Sequence, residues 1–379
     1  MVYFDNAATS YPKPPLVATA MAGTLRKLGG NPGRSGHRLS LCGGRMIEGC
    51  RAMLAEAFAL PAPERVIFTH SCTESLNLAL RGLLYEGDEV LCSHAEHNAV
   101  MRVLTGFASA GSLRVRVLVP DECGLLSRRS IEEAVSPKTA LCVLNHASNV
   151  TGVIQPIREL SEVTRAHGIP LLVDAAQTAG VLDVSPDALG ADLVAAAGHK
   201  GLLGPHGTGL LLLAGDVLPR PLVCGGTGSQ SESMLQPTQL PDRYESGTLN
   251  LPGIAGLFVG ARFALRHREE IAQYEGYLAA RLRRGLAQID GLRLLGDEQA
   301  PKVGVVSFTA DGLDCGELTD RLAKRGFALR SGLHCAPSIH TWLGTLQTGA
   351  CRASVGLYNT EQEVDELCEA VARICGGRG

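Results

Sequence analysis

Between residues 65 and 213 the chain repeats one unit: a short apolar run, a knot of polar side chains, then a stretch of helical periodicity. The runs are RVIFTH at 65–70, EVLCSH at 89–94, RVRVLV at 114–119, TALCVLNHA at 139–147, PLLVDAAQ at 170–177, DLVAAAG at 192–198 and GTGLLLL at 207–213. Several are apolar throughout rather than alternating, as strands buried on both faces must be. The pattern predicts an α/β fold, with a mainly parallel seven-stranded sheet and helices on both sides. The polar knots at 71–74, 94–98, 145–149, 174–177 and 199–200 follow the runs directly. In open α/β sheets the ligand crevice lies beyond the carboxyl ends of the strands, so these five knots point at one site.

After residue 253 the pattern changes to long helical segments at 254–268 and 270–286, then strands, then a terminal helix at 361–374. This predicts two domains: a large one over 15–253, and a smaller α+β domain formed by 1–14 with 254–379. A chain of 379 residues with 45% hydrophobic side chains has length and core enough for both. The segment 224–250, rich in Gly, Ser, Thr and Gln, is expected to be a long functional loop between them.

Lys and Arg number 35 against 38 Asp and Glu, so net charge draws this surface neither to nucleic acid nor to an anionic membrane. A small-molecule substrate is expected instead. No apolar stretch approaches the roughly 20 residues of a membrane span. The start MVYFDNAATS lacks the basic and apolar parts of an export signal. Twelve cysteines without even spacing, and without a Cys-x-x-Cys knuckle, suit buried small side chains in a reducing cytoplasm. His334, Cys335 and His340 lack a second ligand pair, so no metal is expected.

The segment AAAGHKGLLGPHGTG sets Lys200 at a strand end. Gly follows the lysine where a P-loop needs Ser or Thr, and the glycine spacing is not that of a dinucleotide fold. A lysine at the mouth of a buried strand loses basicity by desolvation, which Schiff-base chemistry exploits; taken alone, such a lysine is more often a surface residue. Asp174, 26 residues earlier at its own strand end, suits a pyridinium partner but equally suits a helix N-cap. The turn HSCTE offers backbone N–H groups and the Thr73 hydroxyl to a phosphate, and His97 is a flat ring placed to stack on a planar cofactor or to serve structure.

Together these elements resemble the class V aminotransferase family of fold-type I enzymes that use pyridoxal 5'-phosphate (PLP), in its cysteine desulfurase and selenocysteine lyase group. The likeness runs from YFDNAATSYPKP to RASVGLYNTEQEVDEL, essentially the whole chain. The resemblance implies Lys200 as the Schiff-base lysine, Asp174 at the pyridine nitrogen, Gln177 at the phenolic oxygen and His97 as the stacking imidazole. It implies Asn149 beside cofactor and substrate, and the Cys72 backbone, Thr73 and His199 at the phosphate. YESGTLN resembles the loop that gives Thr248 to a neighbouring subunit's phosphate, which implies a homodimer with shared sites. RSGLHCAP resembles the loop of the nucleophilic cysteine, Cys335, and CRAS supplies Arg352 for the substrate carboxylate, expected to be bidentate. The short spacing between Cys335 and Arg352 resembles the group that hands sulfur to an acceptor protein.

Two positions depart from the family pattern. Ala197 stands where a serine usually donates to the phosphate, and Leu333 where many relatives have a second histidine. The expected reaction converts L-cysteine to L-alanine, with Lys200 moving the Cα proton and a Cys335 thiolate, polarised by neighbours such as His334, taking the sulfur. A selenocysteine lyase is the nearest rival. A PLP transaminase, epimerase or β-lyase would not need the cysteine loop, and a non-catalytic descendant would not need Lys200, Asp174, His97, Cys335 and Arg352 together.

Overall fold

A computed structural model describes residues 1–32 and 36–377; residues 33–35 and the terminal 378–379, both inside the expected domain spans, lie outside the described residues. The strands in chain order are β1 Val2–Tyr3, β2 Val66–Thr69, β3 Glu89–Ser93, β4 Arg114–Leu118, β5 Thr139–Asn145, β6 Leu171–Asp174 and β7 Leu193–Ala197. There follow β8 Gly209–Leu213, β9 Leu292–Leu294, β10 Val305–Ala310, β11 Phe327–Ala328, β12 Arg330–Gly332 and β13 Ala350–Ser354. All seven apolar runs form strands of one sheet, in the order β2-β8-β7-β6-β5-β3-β4.

Six of these strands run parallel and β8 runs against both neighbours, β2 and β7. The connection from β7 to β8 is too short to hold a crossover helix, so the chain turns back as a hairpin does. That turn carries His199 and Lys200. Successive strand residues feed opposite faces: Leu171 and Val173 pack with Ile47, Leu54, Ile254 and Leu257, while Leu172 packs with Leu76, Leu80, Val100 and Leu104. Each such fully buried side chain contributes about 1.5–3 kcal/mol, which explains why the runs are apolar on both faces.

A second sheet, antiparallel in the order β12-β13-β10-β9, packs on the helices Arg268–Ala287 and Glu361–Gly376 through Phe4, Leu278, Leu282, Val306, Phe308, Leu367 and Val371. Thr360 and Glu363 close a capping box at the start of the last helix, satisfying two otherwise orphaned N–H groups. The N-terminal strand β1 pairs with β11, and Asp5 bridges to Ser354 at the end of β13. The first residues of the chain are thereby bound to its last strand.

Segment 224–250 has no helix or strand. One of its side chains is nevertheless tied inward: Glu245 forms a bidentate pair with Arg51 at 2.9 and 2.7 Å and accepts the Phe68 N–H at 2.7 Å. The twelve cysteines are all free thiols. Among the described residues no helix is long and apolar enough to cross a membrane.

Candidate active site

At the carboxyl ends of β3, β5, β6 and β7 the polar knots surround a cavity of ≈ 200 Å³. One water occupies about 30 Å³ of liquid, so this space suits a small molecule. Ser71, Cys72, Thr73, His97, Asn145, Asn149, Asp174, Gln177, His199, Lys200, Arg330, His334, Cys335 and Arg352 line it. Every singled-out residue except Thr248 therefore converges on one space. Thr248 lies on the exposed 224–250 segment, outside this cavity.

The helix Cys72–Leu83 begins at the cavity wall because Ser71 caps it, its Oγ accepting the Glu74 N–H at 3.2 Å. The N–H groups of Cys72 and Thr73, in the first turn, have no acceptor among the described residues and are available to an anion. His97 caps the helix Asn98–Ser109: its Nδ1 accepts the Ala99 N–H at 3.0 Å, leaving Nε2 to carry the proton of a neutral ring. Burial lowers its basicity, with Asp174 opposing and Lys200 reinforcing that trend.

Asp174 ends β6, buried to 3% exposure. Its Oδ1 accepts the Ala176 N–H at 2.9 Å and the Cys72 thiol at 3.6 Å, while Oδ2 has no protein donor among the described residues. Lys200 faces it, and desolvation lowers the lysine's pKa while Asp174 raises it. The N-terminal segment holds this turn in place. Ser10 Oγ donates to Lys200 O at 2.9 Å, and Lys13 Nζ donates to His199 O at 2.6 Å. His199 is pushed down to about 4 by burial, helped by Lys200, and stacks on His206 at 5.3 Å. Gln177 donates to Ala7 O at 3.1 Å, so only its amide oxygen and second N–H remain for a ligand.

On the facing wall, β12 and β13 carry Arg330 and Arg352 in register. Arg352 is 2% exposed; its Nη2 pairs with Asp5 at 2.7 Å and its Nη1 donates to Asn149 O at 3.0 Å. Nε has no partner. Each Nη group thus gives one of its two N–H donors to protein, so Nε–H and one N–H on each Nη remain for a carboxylate ligand. Arg330 and Asp5 were not anticipated from sequence. A basic residue within the short run before the cysteine loop was the available signal for Arg330; none existed for Asp5, 347 positions from its partner.

Cys335 is exposed at the cavity rim. Its loop is held by three contacts: the Asn149 side-chain N–H donates to His334 O at 2.7 Å, the Asn98 N–H donates to Cys335 O at 2.7 Å, and Ala336 and Ile339 pack on Ala95 and Val150. His334 and Cys335 adopt left-handed conformations, φ 50 and 57, that β-branched residues would resist. Cys335 was expected to be exposed and polarised by neighbours such as His334; it is exposed, and a positive charge on His334 is not what could polarise it. The His334 ring is buried and pushed down to about 3 by desolvation and by Arg352, so it is neutral.

A mostly parallel α/β sheet with a lysine turn, an acid strand end and a cysteine loop at one cavity defines a class, and a family model agrees. The chain belongs to the class-V aminotransferase family, whose model matches residues 2–367. It is similar to a protein named probable cysteine desulfurase from Methanothermobacter thermautotrophicus, 33% identical, over 99% of this chain and 95% of that one. Among solved structures it is similar to the apo cysteine desulfurase of Thermococcus onnurineus, with a TM-score of 0.92, 32% identity, and coverage of 99% of this chain and 95% of that one. The Escherichia coli cysteine desulfurase CsdA superposes with a TM-score of 0.88 at 28% identity, over 98% of this chain and 94% of that one.

Proposed function

We propose that this chain is a PLP-dependent cysteine desulfurase that converts L-cysteine to L-alanine and collects the sulfur as a persulfide on Cys335. The observation that carries the proposal is that Lys200 and Cys335, on different sheets' loops, line one cavity together with Arg352. The donor set fits the cofactor. Asp174 has a free Oδ2, the first turn after Ser71 has free N–H groups, and His199 Nδ1 is buried without a partner. Lys200 would hold PLP covalently, Asp174 its ring nitrogen, His97 and Gln177 its ring, and Cys72, Thr73 and His199 its phosphate. When bound, PLP supplies an electron-withdrawing ring that stabilises negative charge at the substrate's Cα.

The chain's own groups do the rest. Arg352 binds the substrate carboxylate through its remaining N–H donors, and Asn149 lies beside it as the wall that also holds the cysteine loop. Lys200, less basic than a free lysine because it is desolvated, takes the Cα proton. The Cys335 thiolate attacks the substrate sulfur: an S–S bond forms, the C–S bond breaks, its electron pair stays with Cβ, which takes up a proton, and Lys200 returns the proton to Cα to give alanine. The exposed position of Cys335 supports delivery of that sulfur to an acceptor protein.

We further propose a homodimer. Met234 and Leu235 on the segment that carries Thr248, with Leu222 and Val223 just before it, expose apolar surface, and a second copy covering them would bring Thr248 to its phosphate site. Residues 15–253 would then be the cofactor-binding domain, and 1–14 with 254–379 the domain that brings up the cysteine loop. The free thiols suit a reducing cytoplasm. The test is incubation of purified protein with L-cysteine, measuring alanine and Cys335 persulfide. PLP-loaded protein that makes neither refutes the proposal, and activity toward selenocysteine that survives Cys335→Ala while cysteine turnover is lost marks a lyase.

A further inference from the structure

Glu96 lies between the strand ends that build the cavity, yet nothing in the chemistry above uses it. It is 0% exposed, and its Oε1 accepts the Ser93 hydroxyl at 2.6 Å and the Asn145 N–H at 2.7 Å. Its Oε2 has no partner among the described residues. The same residue that donates to Oε1 shows the same deficit in its side chain: Asn145 Oδ1 is buried without a donor. A buried polar atom left so destabilises the fold, and a charged one more. A proton on Oε2 would make it a donor, and Asn145 Oδ1, on the residue whose backbone N–H already meets Glu96, is an acceptor.

The charges that face Glu96 agree with a neutral group. Asp174 approaches from β6, in register with Asn145, and the Cys92 and Cys142 thiols approach from β3 and β5. None of these is a cation. The two histidines flanking it in sequence are lowered by burial, His94 to about 4. Desolvation raises Glu96 to about 8, with the Asp174 charge pushing the same way. Glu96 follows β3 and Asp174 ends β6 with β5 between them, so a negative charge on Glu96 would face that of Asp174, whereas Lys200 lies opposite Asp174.

We propose that Glu96 is a neutral carboxylic acid in the working protein and acts as a positioning residue: its O–H fixes the Asn145 amide, turns Nδ2 toward the cavity and spares Asp174 a second negative charge beside it. The inference rests on the proposed function only for what Asp174 faces, a ring nitrogen. The reverse arrangement, an ionised Glu96 accepting from a flipped Asn145 amide, is distinguishable by experiment.

Three measurements on the PLP-loaded protein decide it. An infrared difference between wild type and Glu96→Gln at neutral pH should show the C=O band of a protonated acid, lost in the variant. Stability should diverge with pH. The folded carboxyl keeps its proton while the unfolded one ionises, so wild type loses stability relative to Glu96→Gln as pH rises from 4.5 to about 8. The ratio of their unfolding constants should change by roughly a thousandfold over that window. Glu96→Ala should weaken PLP binding by about tenfold and Glu96→Gln, which keeps a donor toward Asn145, should recover it. No acid band together with parallel stability profiles overturns the neutral state. A Gln variant that binds PLP as weakly as the Ala variant overturns the positioning role. Should Glu96→Ala fail to fold, the band and the Gln profile still decide. A wild type that binds PLP but forms no persulfide defeats the proposed function alone.

Discussion

Removing Arg352 should injure stability and substrate binding by separable amounts. The Arg352–Asp5 pair is 2.7 Å long, with side-chain exposures of 2% and 21%. Exposed pairs contribute about 0–1 kcal/mol, whereas breaking a buried pair costs about 3–5 kcal/mol. With Asp5 about one-fifth exposed, Arg352→Ala should cost about 2–4 kcal/mol of unfolding free energy, since it leaves Asp5 without its cation and Asn149 O without its donor. Asp5→Ala leaves a buried guanidinium with one partner instead of two and should cost nearly as much. The double variant removes both charges, so its loss should fall short of the sum by about 1–3 kcal/mol. Urea unfolding of the four proteins measures this. Arg352→Ala should also lower kcat/KM for L-cysteine by about two orders of magnitude, carried mainly by KM, for the lost charge-assisted contacts to the carboxylate. Additive stability losses would refute the coupling, and an unchanged KM would show that the carboxylate binds elsewhere, with Arg330 the next candidate.

Cys335→Ala should abolish persulfide formation while the PLP chromophore, sensitive to borohydride, remains; a lost chromophore would make Cys335 part of the cofactor's support. Glu245→Ala takes the buried carboxylate from the 1%-exposed Arg51, which keeps Glu48 and Val66 O, and leaves the Phe68 N–H without its acceptor; it should lower unfolding free energy by about 2–4 kcal/mol, and a loss under about 1 kcal/mol would mean that water reaches the pair. Gly180→Ala puts a Cβ at φ +93 and 2.3 Å from Gly201 O, against the turn that carries Lys200. It should destabilise by about 1–3 kcal/mol and weaken PLP binding, and unaltered binding in a titration would show that the turn gives way freely.

The apolar runs specified their own strands because a strand buried on both faces must be apolar at every position, a local property that survives any arrangement of neighbours. The same periodicity could not give the strand order or the reversed β8, which depend on how short the β7–β8 connection is relative to a crossover helix. Lys200, Asp174, His97 and Cys335 were legible because each ends a recognisable segment and the family pattern joins them. Their surroundings were not. Asp5 meets Arg352 only because β1 and β13 are brought together, and Glu96 loses water only when β3, β5 and β6 pack around it. His334 showed the limit most plainly: a histidine beside a cysteine reads as an acid/base helper, but its charge is set by solvent access. Sequence therefore determined which segments become strands and which side chains stand at their ends. Tertiary structure alone decided which of those groups are charged, because pairing and desolvation are properties of residues far apart in the chain.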